Sequence, residues 1–267
     1  MKPVLFLDSG IGGIPYCRYF HERNPGESIV YLADRLRFPY GKWEKKDLAA
    51  ILINLVEQVI RIINPKIIVL ACNTATLAGI SPLRERFPAL LFVGTVPAVK
   101  PAILASKSGK IGVLGTELTI RESFIREIAA QYGNGEVFGI AAPELVEFIE
   151  NSFYAAAPEE KKELVRGYLN RFQAAGVDSL VLGCTHFLFL LEDFQQEAAP
   201  DIIVFESVDA IARRIESLLG QQHEQNLQET LPCAQNRLLL TGPAEPEPSW
   251  IKWADHLGFS LSLLGET

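Results

Sequence analysis

Most of the short sequence signatures that announce a function are missing from this 267-residue chain. Its four cysteines, Cys17, Cys72, Cys184 and Cys233, form no C-x-x-C pair, which excludes a zinc ribbon and a thioredoxin-type redox motif. No segment approaches the roughly 20 consecutive apolar residues that span a bilayer. The apolar opening before Asp8 is too short for a signal peptide, so a cytoplasmic location with reduced thiols is expected. A net charge of −7 leaves no basic stripe for phosphates, so neither nucleic acid nor membrane is an expected partner. An anionic ligand would have to be held by local dipoles against the field of the whole molecule. Nucleotide motifs fail as well. In Asp8-Ser9-Gly10-Ile11-Gly12-Gly13 the third glycine of a dinucleotide fingerprint would fall at position 15, which is Pro15. Asp34 imitates the ribose-binding acid, yet Asp8 would aim a carboxylate at the pyrophosphate. No Gly-Lys-Ser/Thr follows, so the P-loop is excluded too. What survives is a glycine turn that lets backbone amides approach a small ligand; taken alone, a ligand-free strand-to-helix turn explains it better.

What is present is a strongly patterned globular chain, 48% hydrophobic and 21% charged. Strands are expected at Pro3–Asp8, Ser28–Leu32, Lys66–Ala71, Leu91–Val93, Lys110–Leu114, Glu136–Ala141, Asp178–Leu182 and Ile202–Phe205. Helical periodicity marks Glu44–Ile63, Glu117–Gln131, Glu159–Ala175 and Ser207–Leu219. Strand runs that are apolar throughout imply burial on both faces, hence mostly parallel sheets flanked by helices. The fold class is α/β. Val93–Pro101, with two prolines and a glycine, reads as a crossover between halves. The expected organisation is a first α/β domain from 1–96 plus 207–267, and a second from 97–206. Gln221–Gln228 is the most loop-like stretch, and after it Arg237–Leu240 and the run ending at Leu264 are expected to form one last strand and helix.

Two segments share one grammar. Lys66-Ile67-Ile68-Val69-Leu70-Ala71-Cys72-Asn73-Thr74 and Asp178-Ser179-Leu180-Val181-Leu182-Gly183-Cys184-Thr185-His186 each run from an apolar strand through a small residue to a cysteine and then to polar side chains. A single cysteine ending a strand is usually an inert small hydrophobe. A matched pair, each at a strand's carboxyl end and facing a following helix, points instead to one site with a thiol on each side. A helix N-terminus favours thiolate. His186 is placed beside a thiol; His21, His223 and His256 fall on polar or helical stretches and need no role. Pro39-Tyr40-Gly41 restrains a tyrosine so that its amide or phenol is presented to a pocket, although ordinary turn chemistry serves equally well. Thr116, in Gly115-Thr116-Glu117-Leu118-Thr119, has the place of an N-cap. Glu150 reads by itself as a solvated helix residue.

Taken in order, these segments resemble glutamate racemase, of the aspartate/glutamate racemase superfamily. The resemblance runs through Asp8-Ser9-Gly10, Gly12-Gly13, Asp34 with Pro39-Tyr40-Gly41, and Ala71-Cys72-Asn73-Thr74-Ala75-Thr76. It continues through Val93-Gly94 with Pro97-Ala98, Thr116 and Thr119, Glu150, and Leu182-Gly183-Cys184-Thr185-His186. It implies two α/β domains with the active site in the cleft between them. It also implies a cofactor-independent isomerase, with no metal, that supplies D-glutamate for bacterial peptidoglycan, and it leaves a homodimer open as the assembly. By the same resemblance Cys72 removes the α-proton of D-glutamate and Cys184 that of L-glutamate, Asp8 assisting the first, His186 and Glu150 the second. The implied substrate contacts are Asp8, Ser9, Tyr40, Gly41, Asn73, Thr74, Thr116, Thr119, Thr185 and His186. Three positions depart from the family pattern: Leu188 stands for its proline, Ile14-Pro15 follows the double glycine, and Ala142 replaces a cysteine before Pro143.

The chemistry is consistent with that implication. The α-hydrogen of an amino acid is poorly acidic and no pyridoxal-lysine motif is evident. Racemization then needs a base on each face of the carbon, preorganised donors for the developing charge, and exclusion of water. Lys and Arg are absent from the matched motifs, which suits neutral donors and helix dipoles for the substrate carboxylates. Three rivals stand beside this reading: a Cys184–His186 thiol hydrolase, a metal site of Cys72, Cys184 and His186, and a non-catalytic two-domain binding protein. Against the hydrolase, residues so close on a strand-to-helix turn are not expected to present both side chains as a dyad. A racemase of another acidic amino acid, such as aspartate, is the near neighbour of the glutamate reading.

Overall fold

Runs of Val, Ile and Leu bounded by small residues fold here as parallel strands covered on both faces. The computed structural model describes residues 2–133, 135–225, 235–242 and 245–265; Cys233 lies outside them. In chain order, β1 (Val4–Asp8), α1 (Ile14–Arg23), β2 (Ile29–Ala33), α2 (Lys45–Ile62), β3 (Ile67–Leu70), α3 (Asn73–Arg86) and β4 (Leu91–Gly94) come first. Next are α4 (Val99–Ala105), β5 (Lys110–Gly115), α5 (Glu117–Arg121), α6 (Ser123–Gly133), β6 (Glu136–Ala141), α7 (Pro143–Asn151), α8 (Pro158–Ala174), β7 (Ser179–Gly183), α9 (Leu191–Ala198) and β8 (Ile203–Phe205). The chain ends with α10 (Val208–Gln225), β9 (Arg237–Leu240), α11 (Pro248–Leu257) and β10 (Ser260–Leu263). Two compact units result, one of the residues up to Thr95 with those from Val208 onward, the other of Val96–Ser207. No helix among the described residues is long and apolar enough to cross a membrane.

In the first unit the described strands order as β10-β9-β2-β1-β3-β4, every pair parallel. Its core packs Leu5, Leu7, Ile68 and Leu70 against Leu48, Leu52, Leu55, Val56 and Val59 of α2. In the second unit the order is β6-β5-β7-β8, again parallel. The inner strands of the two sheets therefore follow one plan, with a first strand in the middle, the second on one side and the third on the other. Successive crossovers diverge between the first and third strands. That divergence is the switch point at which open α/β sheets gather ligands beyond their strand ends. Asp8 and Cys72 occupy it in the first unit, Thr116 and Cys184 in the second.

The glycine turn after β1 has a packing reason. A Cβ on Gly13 would stand 2.7 Å from the Ala71 Cβ and 3.0 Å from the Ala71 carbonyl oxygen, so the start of α1 can approach the end of β3 this closely only with glycine. Pro15 follows in the first turn of α1, where its missing N–H costs nothing.

Four expectations are corrected. The Glu117–Gln131 helix is broken at Glu122, which is extended (ψ 133°) and separates α5 from α6. Apolar periodicity carries across a single extended residue, so the pattern could not register the break. Residues 221–225 are helical, as the last turns of α10, because a polar helix end and a loop share composition; the rest of Gln221–Gln228 lies outside the described residues. The run ending at Leu264 is a helix followed by a further strand. Gly258, at φ 68°, caps α11 in the left-handed region and releases Ser260–Leu263 to pair with β9. The fourth concerns the segment after Cys184, described below.

One core position carries a direct test. Ser179, in β7, is wholly buried and its hydroxyl has no hydrogen-bond partner. An unsatisfied buried hydroxyl costs about 1 kcal/mol or more, so Ser179→Ala is expected to raise the urea midpoint at unchanged m-value. A lowered midpoint would mean that the hydroxyl is satisfied in solution.

Candidate active site

In the first unit the site begins at Asp8, wholly buried at the end of β1. Its Oδ1 accepts the Gly10 N–H at 3.0 Å and the Ser9 hydroxyl at 3.4 Å, while the Tyr31 hydroxyl donates to the Gly10 carbonyl at 2.7 Å. The glycine turn is thus fixed from both sides. Cys72, almost buried, is the extended N-cap residue of α3 (φ −141°, ψ 122°), so the thiol sits where the unpaired amides of the first turn emerge. Asn73 and Thr74 follow, both buried, in that first turn. The Asn73 Oδ1 is buried without a hydrogen-bond partner, a polar atom free to meet a ligand. Tyr40 is buried in a short 3-10 turn with Gly41, which is exposed. The Tyr40 hydroxyl donates its one proton to Asp34 Oδ2 at 2.9 Å. Burial pushes that phenol well above its ordinary pKa, helped by the charge of Asp34 and then by Cys72 and Asp8. Toward a ligand the phenol can therefore only accept, and the donor on offer from this residue is its backbone N–H.

In the second unit Thr116 caps α5, accepting the Thr119 N–H at 3.3 Å, and the two hydroxyls lie 3.0 Å apart. Thr119 and Thr185 are buried. Cys184 follows β7 in extended conformation and leads into a 3-10 segment, Thr185–Leu190, rather than an α-helix. Such a turn is closed by i→i+3 bonds in place of the α-helical start expected here. A side chain stands beside the thiol. The Cys184 Sγ lies 3.8 Å from His186 Nδ1, and His186 Nε2 lies 2.7 Å from Glu150 Oε1 near the end of α7. Burial of His186 opposes its charge, but the bonds to Cys184 and Glu150 outweigh it and hold the imidazole well above its ordinary pKa. The expectation that Cys184 and His186 would not form a dyad is wrong. The 3-10 turn after Cys184 leaves the His186 ring 3.8 Å from the sulfur.

The family model described as Asp/Glu/Hydantoin racemase matches residues 21–215. The chain belongs to that family. A glutamate racemase of Roseiflexus is 37% identical over 222 residues, covering 83% of this chain and 80% of the relative. Among solved structures, Escherichia coli glutamate racemase in complex with L-glutamate and the activator UDP-MurNAc-Ala superposes with TM-score 0.83 at 26% identity, covering 98% of each chain. A glutamate racemase isoform of Bacillus anthracis gives 0.78 at 28% identity, covering 98% of this chain and 96% of its own.

Within this racemase-family chain the three departures are absorbed locally. Pro15 sits at a helix start, Ala142 is buried and caps α7, and Leu188 accepts a backbone bond closing the 3-10 segment. Among the described residues no group of three His, Cys, Asp or Glu side chains is placed to hold a metal. Cys17 is buried within α1, and burial pushes its thiol far up, so it is inert. Asp34 and Thr241 belong to the site's support without any role implied by the sequence. Asp34 holds Tyr40, and Thr241 binds Asp34 at 2.6 Å. The available signal was positional: Thr241 directly follows the apolar run of β9, the strand end at which ligand-side residues gather in parallel sheets.

Proposed function

We propose that this chain interconverts L- and D-glutamate without a cofactor, Cys72 and Cys184 acting as the two acid/bases. The observation that carries the reading is the repeated placement of a cysteine just past the third strand of each unit, at the switch point of its sheet. Its relatives' names, glutamate racemases at 35–37% identity, supply the substrate.

In this reading the deprotonated sulfur of Cys184 takes the α-proton of L-glutamate while the protonated Cys72 donates to the opposite face, and D-glutamate reacts in the reverse sense. His186, held protonated against Glu150, stabilises the Cys184 thiolate; Asp8 serves Cys72. The developing carbanion and the substrate carboxylates are held by neutral donors: Ser9, the amides of Tyr40 and Gly41, Asn73, Thr74, Thr116, Thr119, Thr185 and the backbone amide of His186. Such preorganised dipoles need no reorganisation as charge builds. The product would serve peptidoglycan synthesis in the bacterial cytoplasm.

Incubation of the purified protein with each glutamate enantiomer in D2O, without added cofactor, is expected to bring optical rotation to zero with deuterium at the α-carbon. Stable rotation and no α-exchange would overturn the reading, and faster conversion of aspartate would move it to the neighbouring substrate. A thioester at Cys184 after treatment with an activated ester or amide, the alcohol or amine leaving, would favour the hydrolase alternative, whose dyad geometry is present here.

A further inference from the structure

Asp34 is the most demanding residue in the first unit, a carboxylate with no exposure to water. A buried carboxylate is tolerated only when its lone pairs are occupied. Three donors occupy them: Arg37 Nη1 at 2.9 Å, the Tyr40 hydroxyl at 2.9 Å and the Thr241 hydroxyl at 2.6 Å. The first two lie on the same loop as Asp34. Thr241 arrives from the far end of the chain, just after β9.

Thr241 is held to this loop by more than one bond. Its Oγ1 accepts the Leu36 N–H at 3.2 Å, its carbonyl accepts Arg35 Nε at 3.1 Å, and its N–H donates to the Ala33 carbonyl at 3.0 Å. Arg35 also pairs with Glu247 on the same returning segment. The hydroxyl of Thr241 thus closes a chain in which it orients Asp34, Asp34 fixes the Tyr40 ring, and the ring sets the Pro39–Gly41 backbone.

We propose that Thr241 is a positioning residue for substrate binding, acting through Asp34 on Tyr40, so that the C-terminal segment sets the geometry of the Pro39–Gly41 loop. The proposal rests on the glutamate reading for its kinetic consequence and on the hydrogen bonds alone for its structural one. Thr241 touches neither thiol in this scheme; its effect falls on ground-state binding, a KM effect.

The test uses the full-length protein. A hydrogen bond to a charged group is worth enough that Thr241→Val is expected to raise KM for both enantiomers about tenfold, with kcat within about threefold. Amide exchange of residues 36–43 is expected to quicken about tenfold in the same variant. Thr241→Ser keeps the hydroxyl and should restore both to within about twofold of wild type. In a Tyr40→Phe background the further rise from Thr241→Val should fall below about twofold, since the route is already cut. Wild-type KM and exchange in Thr241→Val overturn the proposal. So does equal impairment of the Ser and Val variants, or a full tenfold increment in the Tyr40→Phe background. If the unaltered protein fails to interconvert glutamate, the glutamate reading falls instead, and the exchange comparison of Thr241→Val with Thr241→Ser still decides whether Thr241 orders the loop.

Discussion

Cys184→Ala is expected to lose glutamate racemization by about 10³-fold or more, and Cys72→Ala by as much, since each removes one of the two proton-transfer groups of the proposed reaction. Net conversion alone cannot assign a thiol to a face. Enantiomers have equal free energy, so kcat/KM must fall by the same factor in both directions whichever group is deleted. Isotope exchange separates them. In Cys184→Ala the remaining thiol still reaches its own face of the α-carbon. D-glutamate should therefore take up deuterium slowly with retained configuration, once the S–H has exchanged with solvent, while L-glutamate stays protiated. Cys72→Ala should show the mirror result. NMR of the α-proton with chiral analysis of the recovered amino acid measures both. Near-normal racemization in Cys184→Ala would end the two-thiol assignment, and deuterium entering the other enantiomer would exchange the roles of Cys72 and Cys184.

The parallel sheets were legible because their signal is local. The runs 4–7, 67–70 and 180–182 are apolar along their whole length, and burial on both faces is the ordinary cause of such a run. The cysteine pair was legible for a similar reason, since a strand, a small residue, a thiol and polar groups recur in the same order. Partners brought together by the fold were not. Asp34 and Thr241 meet at 2.6 Å from opposite ends of the chain, and nothing near either residue announces the other. The placement of His186 beside the Cys184 thiol was legible from its position two residues on, whereas the 3-10 form of the turn between them was not, because it looks like the start of an α-helix in sequence. Glu150 shows the limit most plainly. On α7 it resembles any solvated carboxylate, and its identity as the partner of His186 depends on the packing of α7 against the 3-10 segment.

Glu150→Gln is expected to lower kcat about 10²-fold while leaving KM for glutamate within about threefold. The amide can still hydrogen-bond His186 Nε2, so the ring keeps its place, but it no longer supplies the charge that favours imidazolium. The folded-state pKa of His186 lies above the ordinary value despite burial, because of its bonds to Cys184 and Glu150. The stability that the charged ring contributes is thus fully present below about pH 6.5, its unfolded value. It is lost as pH rises through the higher folded value. Two measurements follow from that sign. The unfolding free energy of wild type relative to His186→Asn should be largest in mild acid and should narrow as the solution is made alkaline. The alkaline limb of the kcat profile should move to lower pH in Glu150→Gln, since the ring then gives up its proton sooner. A limb that stays in place while kcat falls would show that Glu150 only shapes the pocket and that some other group carries the proton balance at Cys184.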